Sequence, residues 1–162
     1  MPDPFDDARL TAMGLFIEAF EGLLARLDQV HAEHGLSGKD FDTLIRLARS
    51  PGRRLRMGDL ATQTSMSTSG ITRVVDRLER AGSVYREPAP GDRRSSYAVL
   101  TDAGLQQLEA DVPRTVETVE RWFTGQLNEP QLDAFLAALH TIRDQVRPGA
   151  AAGAVEQPDR AP

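Results

Sequence analysis

The chain has no cysteine, a single lysine and a single tryptophan among 162 residues. Without thiols there can be no disulfide, no thiolate zinc site and no thiol-based redox sensor. Long apolar runs are missing as well. The segment 12–20 is apolar but interrupted by Glu18, and acids precede it where a secretory signal would carry bases. Nothing approaches the roughly 20 apolar residues of a membrane span, so a cytoplasmic location without a membrane partner is expected by elimination. Histidine is scarce. His31 and His34 lie one helical turn apart and could share a metal with Glu33 or His140, but no second ligand pair supports such a site. No nucleophile elbow, phosphate loop or paired-carboxylate cleft is present. We therefore expect no catalytic residue, no metal, no cofactor and no enzymatic role.

What is present is the material of one globular domain with a core of ordinary size. The net charge of −5 is unevenly spread. Residues 51–101 hold nine arginines against five acids, a local +4, which leaves −9 for the remainder. An acidic body carrying one basic face is the pattern of a local electrostatic footprint for a polyanion.

The apolar spacing predicts a mostly helical, α+β chain. Steps of three and four from Phe5 to about Val30 mark one long amphipathic helix. Ser37 and Asp40 form a capping pair for a second helix that buries Phe41, Leu44, Ile45 and Leu47 and ends at Pro51-Gly52. Arg54-Leu55 suits a very short strand, and a third helix covers about Gly58–Thr64. After the turn Ser65-Met66, Ser67 caps a fourth helix with Ile71, Val74, Val75 and Leu78 inward, closed by a left-handed Gly82. Two strands follow near 83–87 and 96–100, and the prolines between them should keep their ladder short. Thr101 caps a fifth helix in which Pro113 predicts a kink or break. Asn128 and Gln131 cap the last helix. From Arg147 onward the Ala/Gly/Pro-rich tail, 147–162, has no periodicity and is expected to be disordered.

The most informative stretch is Gly82 to Gly104, directly behind the fourth helix. With its apolar residues inward, that helix shows Thr68, Ser69, Thr72, Arg73, Asp76 and Arg77 to solvent. Short hydroxyls near its start permit close approach to a duplex, and the helix dipole favours phosphate there. Arg73 is placed to reach a guanine edge, and Arg77, farther back, a phosphate. The hairpin behind it carries Asp92-Arg93-Arg94 at its tip, a group that suits the narrow minor groove. Helix and ribbon together point to a winged helix-turn-helix that reads double-stranded DNA.

The run Arg56-Met57-Gly58-Asp59-Leu60-Ala61, then Ser67 to Leu78, then Asp92-Arg93-Arg94 with Leu100-Thr101 and Gly104, resembles the MarR family of transcription regulators. The likeness covers about residues 8–146 as a single domain. It implies helices of a dimerisation stem at about 5–31 and 102–146 and a winged-helix lobe at about 37–101. It further implies a homodimeric repressor or activator of a pseudo-palindromic operator, one that a small aromatic or phenolic molecule can release. By the family pattern Asp92 and Arg94 are the wing pair, while Ser67, Thr68, Ser69, Thr72 and Arg73 lie on the recognition helix. Gly58 departs from the pattern, which commonly places a serine cap there.

The residues also argue for a dimer independently. The first, fifth and last helices carry more apolar surface than a winged lobe can cover, with Phe16, Phe20, Trp122, Phe123 and Phe135 left over. Where stem meets lobe, Phe16, Phe20, Phe41, Ile45 and Trp122 are candidates to line an effector pocket, the alternative being that all five are core. A rival reading of the whole chain is a dimeric winged-helix module that binds a protein partner. Such a wing should replace Arg93 and Arg94 with neutral or apolar groups.

Overall fold

Most helices begin where the sequence supplies a cap. In the computed structural model, which describes residues 5–89 and 92–150 and of 92–94 the backbone alone, helix α1 spans Ala8–Glu33. Asp7 caps it by accepting from the Arg9 amide at 2.8 Å, and the Arg9 guanidinium holds the same carboxyl below its ordinary pKa. Gly35 turns the chain at φ +70°. Helix α2, Gly38–Arg49, opens on the reciprocal box: Ser37 Oγ accepts from the Asp40 amide and Asp40 accepts from the Ser37 amide. A 3-10 turn at Pro51–Arg53 leads into strand β1, Arg54–Arg56, and helix α3, Met57–Gln63. The departure at Gly58 has a visible counterpart, since α3 starts at Met57 with no side-chain cap.

Helix α4, Thr68–Arg80, starts at Ser67, whose hydroxyl accepts from the Gly70 amide at 3.1 Å, and ends before Gly82 at φ +76°. Strands β2, Val84–Ala89, and β3, Asp92–Leu100, make the hairpin, and the antiparallel sheet has the order β1-β3-β2. Leu55 faces Ala98 and Val84 faces Leu100. The ladder runs farther than the prolines suggested: Pro88 pairs with Ser96 and, after an irregularity, Ala89 with Asp92. Pro88 lies on β2, an edge strand, where a missing donor is tolerated.

Helix α5, Asp102–Trp122, is capped by Thr101, whose Oγ1 accepts from the Gly104 amide at 2.9 Å and donates to the Gly82 carbonyl at 2.7 Å. The expected break at Pro113 does not occur. The carbonyl that loses its partner there belongs to Glu109, which is exposed along with Pro113 itself, so water can satisfy it. A 3-10 turn at Thr124–Gln126 joins α5 to helix α6, Glu129–Val146, opened by a second reciprocal box between Asn128 and Gln131. The tail differs from expectation over its first residues. Arg147 and Ala150 are hydrogen-bonded to the lobe, while 151–162 lie outside the described residues.

One core serves α2, α3, α4, the sheet and the start of α5. Leu44, Leu47, Leu60, Ile71 and Val75 meet in it with no more than trace exposure, and Leu55, Val84, Leu100 and Leu108 close it. By contrast α1 buries only Val30 and His31, and α6 buries nothing. No helix among the described residues is long and apolar enough to cross a membrane.

Candidate nucleic-acid interface

The four inward residues of α4 are all buried, and this places the predicted polar face outward as the spacing requires. Thr68, Ser69, Arg73 and Arg77 are exposed, Thr72 and Asp76 half-buried. Three of the hydroxyls are already engaged. Ser67 Oγ caps the helix and lies 3.1 Å from Ser69 Oγ, while Thr72 Oγ1 donates to the Thr68 carbonyl at 2.7 Å. Arg73 has no ion-pair partner among the described residues, so its guanidinium can turn toward a ligand.

Three ion pairs clamp the helix from its flanks. Arg77 donates to Asp40 Oδ1 through Nη2 at 2.6 Å and Nε at 3.1 Å, tying α4 to the cap of α2. From β2, Arg86 reaches Asp76 at 2.6 Å, binds Glu79 and touches the Thr72 carbonyl at 3.4 Å. Asp40 and Arg86 were not among the expected site residues, and Arg77 acquires an intramolecular partner where a phosphate contact was expected. Lys39, the only lysine, joins Arg73 and Arg77 around a depression of about 370 Å³ beside Ser67 and Gly70.

The wing is shown in part. The backbone of Asp92, Arg93 and Arg94 continues β3, while their side chains lie outside the described residues. On the opposite edge, the Arg54 and Arg56 guanidiniums stand 4.9 and 5.3 Å from the Tyr97 ring centre. Arg54 is paired with Glu87 and Arg53 with Asp102, but among the described residues Arg56 donates only to Ser95 Oγ at 3.3 Å.

Of the five candidate pocket residues, Phe41 and Ile45 line a cavity of about 630 Å³ between α2, α5 and the start of α6. Phe41 also borders a second cavity, of about 640 Å³, between α1, α2 and the Thr64–Met66 turn. The other three go elsewhere. Phe16 and Phe20 stack on each other along the exposed face of α1, with ring centres 6.3 Å apart, and Trp122 lies under Arg26. Residues 16 and 20 continue the same stripe of α1 as Leu23, Leu27, Val30 and His31, but they lie turns before the part of the helix that the lobe buries, so their rings stay exposed.

The histidines take a role that the sequence did not suggest. Asp111 on α5 is fully buried, 2.8 Å from His31 Nδ1 and 3.1 Å from His34 Nδ1. Thr115 Oγ1 donates to the same carboxylate, and His31 stacks on Phe41 at 4.2 Å. The cluster joins the end of α1 to α5 and to the lobe. No group of residues suited to a metal ion occurs among the described residues.

A helical pair presenting α4, an arginine-bearing antiparallel hairpin behind it and three long flanking helices define a winged helix-turn-helix protein. Relatives narrow this class. The MarR family model matches residues 34–95. An uncharacterised HTH-type transcriptional regulator of Bacillus subtilis, YkoM, is 31% identical over 126 residues, 77% of this chain and 79% of the relative. AbsC, a MarR family regulator from Streptomyces coelicolor, superposes with a TM-score of 0.82 at 34% identity, over 88% of this chain and 96% of its own. A second MarR family regulator from that organism, solved in complex with DNA, gives 0.81 at 31% identity over 86% and 91%. The chain belongs to the MarR family of transcription regulators.

Proposed function

We propose that the chain works as a homodimeric repressor that binds a pseudo-palindromic operator. Each subunit sets α4 in the major groove and the tip of its wing in the adjacent minor groove. The observation that carries this reading is the face of α4. It is polar, it is fixed on both flanks by Arg77–Asp40 and Arg86–Asp76, and at its middle it offers an exposed Arg73 with no ion-pair partner among the described residues. Arg73 reads a base edge, Thr68 and Ser69 meet phosphate at the helix start, and Asp92, Arg93 and Arg94 supply the wing contact. An operator occupied across a promoter denies it to polymerase.

The dimer reading rests on the uncovered apolar surface of α1, α5 and α6. Phe16, Phe20, Val116, Trp122, Ile142 and Val146 are each more than two-fifths exposed in the single chain. Monomers rarely tolerate contiguous apolar patches of this kind, and burying them yields about 25 cal/mol per Å². Light scattering should give twice the chain mass at micromolar concentration, and a stable monomer would end the proposal.

An aromatic acid or phenol entering the cavity between α1, α2 and the Thr64–Met66 turn would touch His31, Phe41 and Met66. Its contact with the turn just before α4 gives it leverage on the recognition helix, provided that it prefers the released form. The test is selection of duplexes from a random library by the purified protein, followed by mobility shift with and without such compounds. Failure to enrich any sequence refutes operator reading. Compounds that raise the melting temperature without altering duplex affinity refute the effector role.

A further inference from the structure

Helix α3 ends in a Schellman motif built without glycine. The Met66 amide bonds the Ala61 carbonyl at 3.0 Å and the Ser65 amide the Thr62 carbonyl at 3.3 Å, with Ser65 itself at φ +53°. A side chain in that left-handed region is strained. Thr64 covers the Leu60 carbonyl through its amide at 3.0 Å and its hydroxyl at 2.7 Å. The last carbonyl of the helix, Gln63, accepts from a residue far along the chain.

The donor is Arg147, one residue past α6. Its Nη2 reaches the Gln63 carbonyl at 3.0 Å and the Thr62 carbonyl at 3.1 Å. A guanidinium at a helix C-terminus also meets the negative end of the helix dipole. The strand of chain behind it is fitted to the same place. A Cβ at Gly149 would fall 2.6 Å from Thr62 Cγ2, so a side chain there would force Thr62 to move. Arg46 on α2 holds the Ala150 carbonyl at 3.4 Å and Gln63 Oε1 at the same distance.

This tie joins elements that otherwise meet little. Helix α6 buries none of its own residues, yet its end is bonded to the turn from which α4 departs. We propose that Arg147 is a positioning residue for operator recognition: it fixes the turn before α4 to the end of α6, and so sets where each recognition helix stands relative to the dimer axis. The inference rests on the operator reading above. Arg147 acts through the turn and touches no DNA itself.

The test uses the full chain, a duplex that the wild type enriches from a random library, and remakes of that duplex with one base pair added or removed between half-sites. Arg147→Ala should bind the native spacing about tenfold more weakly, the scale of a modest coupling. Its preference for native over altered spacing should shrink, because a loosened lobe adapts to either. Arg147→Lys, which keeps a charged donor, should recover part of both effects. The salt dependence of binding should stay that of the wild type, since no phosphate contact is lost. An alanine variant with wild-type affinity and spacing profile overturns the proposal. So does an equal loss at all three spacings, whether with a salt slope smaller by about one, which marks a direct phosphate contact, or with a lowered melting temperature, which marks a merely structural bond. A wild type that enriches no duplex overturns the operator reading first and the role of Arg147 with it.

Discussion

Removing the Arg77 side chain separates the phosphate contact that the sequence assigns to it from the clamp onto Asp40 that the structure shows. Arg77 donates twice to Asp40 Oδ1, and the Asp40 side chain is only 6% exposed while that of Arg77 is 50% exposed. An ion pair fully in solvent contributes about 0.2–1 kcal/mol, and breaking a fully buried one costs about 3–5 kcal/mol. With one partner half in water, a coupling of about 1–2 kcal/mol is expected. For a chain of this size each kcal/mol moves the melting temperature by about 2–4 °C. Arg77→Ala should therefore lower it by about 2–8 °C. Asp40→Ala should cost about 1 kcal/mol more, because the same carboxylate closes the capping box on Ser37. Urea unfolding of both single variants and the double variant closes the cycle. If Arg77→Ala melts like the wild type while the salt slope of duplex binding drops by about one, Arg77 is a phosphate ligand and the clamp argument is wrong.

Three further outcomes are expected. Gly104→Ala should destabilise by about 1–3 kcal/mol despite the helical preference for alanine, since the new Cβ would collide with the Ser83 carbonyl; a raised melting temperature would contradict it. Arg94→Ala should weaken duplex binding by about 1–3 kcal/mol with little change in melting, whereas Arg73→Ala should relax preference at one base of each half-site; equal losses on selected and random duplexes for Arg73→Ala would remove it as a base reader. Asp111→Ala should cost about 1–3 kcal/mol, by leaving His31 buried without its partner, and denaturant unfolding that matches the wild type would show the cluster to be dispensable.

Local chemistry was readable in the chain wherever cause and effect sit within four residues. The boxes Ser37–Asp40 and Asn128–Gln131, the caps Ser67 and Thr101, the left-handed Gly82 and the inward set Ile71, Val74, Val75 and Leu78 all stand where spacing places them. What periodicity conceals is the partner across the fold. Arg86 reads as one more basic residue until β2 is laid beside α4, and His31 as a surface residue until Asp111 arrives from 80 positions away. The tail misled for the same reason, since low complexity hides an arginine whose acceptors lie 84 and 85 residues back. Pro113 failed as a breaker because the cost of a lost helix bond depends on whether its carbonyl faces water. The pocket reading was split by geometry, because apolar residues on converging helices need not point into the same space.

The Arg26–Trp122 stack has an optical consequence. Trp122 is the only indole in the chain, and the Arg26 guanidinium carbon sits 3.7 Å from its ring centre with the residue still 43% exposed. Intrinsic emission excited at the red edge thus reports from one point near the end of α5 and from nowhere in the winged lobe. A second subunit closing over that ring would shift the emission to the blue, and dilution would reverse the shift. Duplex binding at α4 would leave the colour untouched unless the lobe's movement travels up α5, so the fluorescence of the unlabelled protein distinguishes assembly from signalling.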